Sequence, residues 1–208
     1  RGITLLNTVY KIFSNVVHEK LKPHTEKIIG QYQCGFRSGR STTDHIFAIR
    51  QITEKALEFN NNIHLLFIDF KTAYDTIKRT SLYKAMEELG IPEQLVSMTK
   101  ASMQNVACKV RIDGHLSKSF PAEHGLRQGD ALSCVLFNIA LEKIIRDGNI
   151  IASGTILNKP VQIMAYADDI VILGRSLRNI TETFVALEQA AAKMGLRINE
   201  SKTKYMCL

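Results

Sequence analysis

The sequence predicts an α/β fold of the α+β kind, in one large domain or two small lobes, and three observations carry that reading. From Ile63 onward, leaving out an insertion in the middle, the elements run strand, helix, strand, strand, helix, strand, which is the split βαβ, ferredoxin-like order. Two amphipathic segments of helical period precede it. Of 208 residues, 45% are apolar, enough to fill a core.

Each element has its own signal. "LLNTVYKIFSNVVHEKLKPH" sets Leu6, Val9, Ile12, Phe13, Val16 and Val17 on one helical face. Pro23 should end that helix, because its ring removes an N–H and crowds the preceding turn. "STTDHIFAIRQITEKALEF" opens with Ser41 and Asp44 in capping-box spacing and then repeats apolar residues at three and four, a second helix. "NIHLLFIDF" is too short and too continuously apolar for a surface helix, and reads as a buried strand ending at Asp69. "CKVRIDGHLSKSF" alternates around Asp113 and Gly114, a hairpin turn pair. "GDALSCVLFNIALEKIIRDG" is a helix closed by Gly148, and "VQIMAYADDIVIL" is two strands folded back at Asp168 and Asp169. The helix "SLRNITETFVALEQAAAKMG" follows, and "LRIN" is the expected last strand.

Composition narrows the function classes. The apolar runs "LLFI" and "IVIL" are far short of the roughly 20 residues that cross a bilayer, and no signal-peptide pattern opens the chain. A cytosolic or nuclear setting is the default expectation, with no membrane partner. Cys34, Cys108, Cys134 and Cys207 form no C-x-x-C pair, so neither a zinc site nor a disulfide framework is indicated. The six histidines show no metal-ligand spacing and receive no role. A net charge of +7 and a pI near 9.3 favour a polyanionic partner; a merely soluble basic protein is the plainer alternative. The amphipathic start and strand-like end are expected to be cuts in a longer polypeptide.

In the predicted strand order the first strand neighbours the hairpin, so Asp69 faces the tip that carries Asp168 and Asp169. Carboxylates a few ångströms apart raise one another's pKa or recruit a cation. Oxygen-only ligands without nearby His or Cys favour Mg²⁺ or Mn²⁺. The plainer reading is turn chemistry for the Asp-Asp pair and a cap for Asp69, but the apolar residues on both sides of "YADDIVIL" point instead to burial with a purpose.

Several stretches, in order, resemble a known family. "LLFIDFKTAYDTI", "GLRQGDALSCVLFNIALE", "AYADDIVIL" and "GLRINESKTKYM" resemble the palm motifs of reverse transcriptases. "QYQCGFRSGRSTTDHIFAIRQI" is similar to their fingers segment, and "RGITLLNTVYKIFSNVVHEKL" to the N-terminal element of the non-LTR (LINE-type, RTE-like) retrotransposon branch. The resemblance implies fingers at about residues 1–61 and 80–124, a palm at about 62–79 and 125–208, and a thumb absent from this stretch. It implies RNA-directed DNA synthesis with an RNA template, a DNA primer and dNTPs, on two Mg²⁺ ions or Mn²⁺ in their place.

Site residues follow from the same resemblance. Asp69 and Asp168 match the two shared metal ligands, Asp169 the third carboxylate, and the backbone carbonyl of Phe70 a further ligand. Tyr74 matches the residue under the sugar that obstructs a 2′-hydroxyl; packing in the core is its plainer role. Gln128 and Gly129 match the nucleotide pocket. Arg37 and Arg40, and more weakly Lys71, match triphosphate ligands, since guanidinium forks suit phosphate oxygens; loop arginines are otherwise solvated surface. Lys202 matches the lysine that protonates pyrophosphate, with Lys204 close enough to compete. The alternatives are a group II intron or telomerase-like reverse transcriptase, an inactive remnant that binds nucleic acid, and a two-metal nuclease, which would not need the "GFR" and "RQG" segments.

Overall fold

The computed structural model describes residues 6–104, 106–150 and 161–208, so the first residues of the N-terminal resemblance lie outside it. In chain order the elements are helices α1 (Thr8–Ile28) and α2 (Thr42–Glu58), strand β1 (His64–Ile68), and helices α3 (Ala73–Thr76), α4 (Arg79–Glu88) and α5 (Glu93–Met103). Short strands β2 (Ala107–Cys108), β3 (Arg111–Ile112), β4 (His115–Leu116) and β5 (Phe120–Pro121) follow, then α6 (Ala131–Asp147). The chain closes with β6 (Val161–Tyr166), β7 (Asp169–Gly174), α7 (Leu177–Lys193) and β8 (Lys204–Cys207).

The main sheet is antiparallel in the order β6-β7-β1-β8. Strands β6, β7 and β1 are largely apolar on both faces because both are covered, while β8, at the edge, is exposed throughout. Ile68, Ile163, Ala165, Ile170 and Ile172 join a large core with α1, α4, α5, α6 and α7, while Leu65, Met164, Val171 and Leu173 point the other way, toward α2. α6 is the central helix, buried on nearly every side, and packs against α1, α4 and α7. Asp130 caps its start by accepting from the Leu132 N–H at 3.1 Å, and Gly148 closes it. No described helix is long and apolar enough to cross a membrane.

Local chemistry settles several elements as expected. The Ser41 N–H donates to the Asp44 carboxylate at 2.7 Å, one half of the capping box. Asp113 and Gly114 both take positive φ, 48° and 84°, which is what a two-residue hairpin turn between β3 and β4 requires.

Other expectations are corrected. α1 runs through Pro23 to Ile28, because its end is held from outside: Arg146 of α6 donates to the Ile28 carbonyl at 2.9 Å, and Glu142 accepts from the Gly30 N–H at 2.9 Å. Those ties outweigh the one N–H that Pro23 withholds. The buried face of α1 is Ser14, Val17, Leu21 and Thr25, while Val9, Ile12 and Val16 are 77%, 62% and 44% exposed. The stretch set aside as an insertion holds two helices, α4 and α5, which no expected element covers.

The last strand also differs. "LRIN" makes only a bridge, Ile198 to Phe70, and regular pairing resumes at β8, where Lys204 opposes Phe67. Six steps of the last segment, Ile198 to Lys204, thus span three steps on the β1 side. The excess is thrown out as a turn in which the Lys202 and Thr203 N–H groups both donate to the Asn199 carbonyl, at 3.1 and 2.9 Å.

Candidate active site

Strand pairing brings the aspartates to one end of the sheet. Ile68 pairs with Ile170, so the next step of the same register sets Asp69, just past β1, opposite Asp169, the first residue of β7. Directly opposed residues present their side chains on one face. Here it is the face of Leu65 and Val171, partly roofed by α2. A cavity of about 530 Å³ opens there, lined by Thr42, His45, Ile46 and Ile49 of α2, by Phe67, Asp69, Tyr166 and Asp169 of the sheet end, and by Lys202. Burial pushes the His45 imidazole below its ordinary range.

The carboxylates are less buried than the flanking sequence implies. Asp168 is half-buried and Asp169 exposed, because the turn projects beyond the sheet's last paired residues. The Asp69 side chain is 22% exposed, and its carboxylate accepts from Asn199 Nδ2 at 3.1 Å. The Asn199 N–H donates to the Asp69 carbonyl at 2.8 Å, so one residue fixes both ends of Asp69. Lys202 reaches from the turn described above and puts Nζ 4.0 Å from Asp69 Oδ2. Lys204 instead donates to the Ser201 carbonyl at 3.1 Å.

Among the described residues, no group of three or more His, Cys, Asp or Glu side chains converges to hold a metal by itself. Mg²⁺ is usually held by one or two carboxylates plus water and substrate phosphates. Asp69 and Asp169, oxygen donors lining one open cavity, fit a site of that kind. The Phe70 carbonyl fits as well. Its strand's bonds to the 197–199 segment run from the Lys71 N–H to the Arg197 carbonyl and from the Asn199 N–H to the Asp69 carbonyl. By alternation along a strand, Phe70 turns its own polar groups toward the hairpin side.

The remaining candidates divide. Tyr74 is half-buried and stacks on Phe137 of α6, ring centroids 4.9 Å apart, at the edge of the large core. Lys71 is exposed. Gln128 and Gly129, with φ of 100° at the glycine, stand in the loop before α6 and do not line the aspartate cavity. That loop is anchored at its end, where the Tyr10 hydroxyl donates to Asp130 at 2.7 Å and the Arg127 guanidinium lies 4.2 Å over the Tyr10 ring. Burial and the Asp130 carboxylate push the Tyr10 hydroxyl up to about 12. Arg40 bonds Gln31 and lines a neighbouring cavity of about 620 Å³ that shares His45 and Met164 with the first.

Arg37 departs from its expectation as an accessible phosphate ligand. Its side chain is 5% exposed, and its donors go to the Glu26 carboxylate at 2.7 to 3.3 Å and to the carbonyls of Gly30 and Gln33 at 2.8 and 3.1 Å. It fastens the 30–37 loop to α1. Sequence reading also passed over Gln33 and Asn199. Neither carries a local signal, since Gln33 stands in "QYQCG" and Asn199 in "RINESK", polar surroundings in which an amide is unremarkable, and only the fold supplies the partners each bonds.

A family model described as "Reverse transcriptase (RNA-dependent DNA polymerase)" matches residues 1–207. Among curated proteins, an uncharacterised protein of transposon TX1 from Xenopus laevis is 28% identical over 98% of this chain and 16% of its own length. The "RNA-directed DNA polymerase from mobile element jockey" of Drosophila melanogaster is 24% identical over 97% of this chain and 22% of its own. A "Retrovirus-related Pol polyprotein from type-1 retrotransposable element R2" of Bradysia coprophila is 27% identical over 79% of this chain and 19% of its own. The chain thus spans less than a quarter of the length of these relatives. Among solved structures, telomerase from Candida tropicalis in complex with a fragment of telomeric RNA superposes with a TM-score of 0.72 at 13% identity, covering 94% of this chain and 33% of that one. That likeness is one of fold.

Proposed function

Because the chain belongs to the reverse transcriptase (RNA-dependent DNA polymerase) family, we propose that it performs the RNA-directed DNA synthesis of a non-LTR retrotransposon, adding dNTPs to a primer 3′-hydroxyl. The observation that carries this reading is that Asp69 and Asp169 stand at the same end of the paired strands β1 and β7 and line one open cavity. We assign a palm of the ferredoxin-like order to about residues 62–79 and 125–208, supported by the strand order β6-β7-β1-β8, and fingers to about 1–61 and 80–124.

The chain's own groups take these roles. Asp69, Asp168, Asp169 and the Phe70 carbonyl hold the divalent ions, Mg²⁺ or Mn²⁺, with Asn199 fixing the Asp69 carboxylate. When bound, such ions lower the pKa of the 3′-hydroxyl and offset charge at the pentacovalent phosphorus. Lys202, on its turn beside Asp69, passes a proton to the leaving pyrophosphate. Arg40, with Lys71, meets the triphosphate, a role from which Arg37 is withdrawn by its bonds to Glu26. Gln128 and Gly129 border the incoming base and sugar. RNA template and DNA primer occupy the basic surface implied by the net charge of +7.

The test is primer extension by the full chain on poly(rA)/oligo(dT) with Mg²⁺. DNA synthesis that stops when Mg²⁺ is chelated supports the proposal; nucleic-acid binding without extension would mark the chain as an inactive binding remnant.

Tyr74 yields a separate expectation. If its ring, steadied by Phe137, obstructs a 2′-hydroxyl, Tyr74→Ala opens space there and Tyr74→Phe does not. The ratio of kcat/KM for rNTP over dNTP should rise about tenfold or more in the alanine variant, a discrimination set by sterics. An unchanged ratio with a lowered melting temperature would leave Tyr74 as core packing.

A further inference from the structure

Gln33 is fully buried, and its side-chain amide is spent on one residue of the hairpin turn. Oε1 accepts from the Ala167 N–H at 2.9 Å and from the Gly35 N–H at 2.7 Å, while Nε2 donates to the Ala167 carbonyl at 3.2 Å. Ala167 immediately precedes Asp168 and holds φ at 55°, a left-handed conformation that L side chains avoid. At the tip of a hairpin no strand partner serves that backbone, and Gln33 supplies what a strand would.

The surroundings leave Ala167 little freedom. Residues 32–34 run along the outer edge of β6, with the Cys34 N–H donating to the Ala165 carbonyl at 2.9 Å and the Ala165 N–H to the Tyr32 carbonyl at 2.8 Å. Gly35 then passes so close that a Cβ there would sit 2.2 Å from the Ala167 nitrogen. Asn138 of α6 holds it in place by donating to the Gly35 carbonyl at 2.9 Å. The turn is therefore seated between a buried amide and a bare backbone.

We propose that Gln33 is a positioning residue: by clamping both polar groups of Ala167 it fixes the direction in which Asp168 and Asp169 leave the hairpin toward Asp69. The inference rests on the functional reading above. It makes the ion-binding geometry of the palm depend on a segment assigned to the fingers. Groups that orient metal ligands without touching the metal typically change affinity or activity about 10- to 100-fold when removed.

The experiment compares the full chain with Gln33→Met, which keeps length and burial but loses every hydrogen bond, and with Gly35→Ala, which presses on Ala167 from the other side. Mn²⁺ binding is followed by electron paramagnetic resonance without nucleotide, beside the half-saturating Mg²⁺ concentration in primer extension, in samples shown by thermal melting to be folded. We expect about tenfold weaker Mn²⁺ binding and a matching rise in half-saturating Mg²⁺ in both variants. A purely structural role would lower the active fraction without moving either midpoint. Unchanged midpoints in folded Gln33→Met, or no Mn²⁺ binding by the unsubstituted chain, would overturn the inference. If the unsubstituted chain binds Mn²⁺ but extends no primer, the functional reading fails, and weakened Mn²⁺ binding in the variants still supports the clamp.

Discussion

Replacing Asp69 or Asp168 by asparagine is expected to abolish primer extension while leaving the fold intact. Asparagine removes the charge and little of the volume. At Asp69 the backbone carbonyl keeps its bond from the Asn199 N–H, so the strand end should stay where it is. The lost charge at Asp69 relieves repulsion from Asp169 but also gives up the attraction of Lys202 Nζ at 4.0 Å, so the melting temperature should change little. Catalysis has no such cushion. A lost metal ligand should lower kcat by on the order of 1,000-fold, equivalent to about 4 kcal/mol of transition-state stabilisation. Asp169→Asn should be milder, since this exposed residue is the least enclosed of the set. Single-turnover extension beside a melting curve checks the expectation. Near-unsubstituted rates in either Asp69→Asn or Asp168→Asn would remove that residue from the metal site.

Arg37→Ala should damage the fold more than the nucleotide site. The substitution takes the donors from two backbone carbonyls and leaves Glu26 without its partner. Breaking a fully buried ion pair costs about 3–5 kcal/mol, but the Glu26 side chain is 41% exposed and water will take part of its charge. A loss of about 2–3 kcal/mol is the scale expected. Arg37→Lys should recover little of it, because an ammonium cannot reproduce the planar fork that meets Glu26 and two carbonyls together. Urea unfolding measures the cost directly. An unchanged unfolding midpoint with a raised KM for dNTP would return Arg37 to the phosphate role that its place in "GFRSGR" had suggested.

Where the sequence was legible, the determining physics was local. The capping box at Ser41 and Asp44, the Asp113-Gly114 turn and the Asp130 and Gly148 ends of α6 each depend on residues a few positions apart, so they could be read from short strings. Strands β1, β6 and β7 were legible because a segment covered on both faces is apolar throughout, whereas the exposed β8 carries no such run and the expectation fell on "LRIN" instead. The aspartates stood out because they interrupt such segments. The face that α1 buries could not be read the same way. Its most apolar stripe, Val9, Ile12 and Val16, is the exposed one, and the face that meets α6 and α5 includes Ser14 and Thr25. Helical periodicity marks an apolar stripe but does not say what will cover it.

The sequence by itself determined the main elements apart from α4, α5 and the last strand, the turn chemistry, and which residue types could hold a cation. Only the tertiary structure decided that Lys202 reaches Asp69 on an extruded turn, that Arg37 is spent on Glu26, and that Gln33 clamps Ala167 from 134 residues away. The reason is the range over which each choice is made. Propensity, capping and periodicity act within a turn or two of the chain. A buried hydrogen-bonding group must be satisfied by whatever the fold brings beside it, and that partner has no fixed spacing in the sequence.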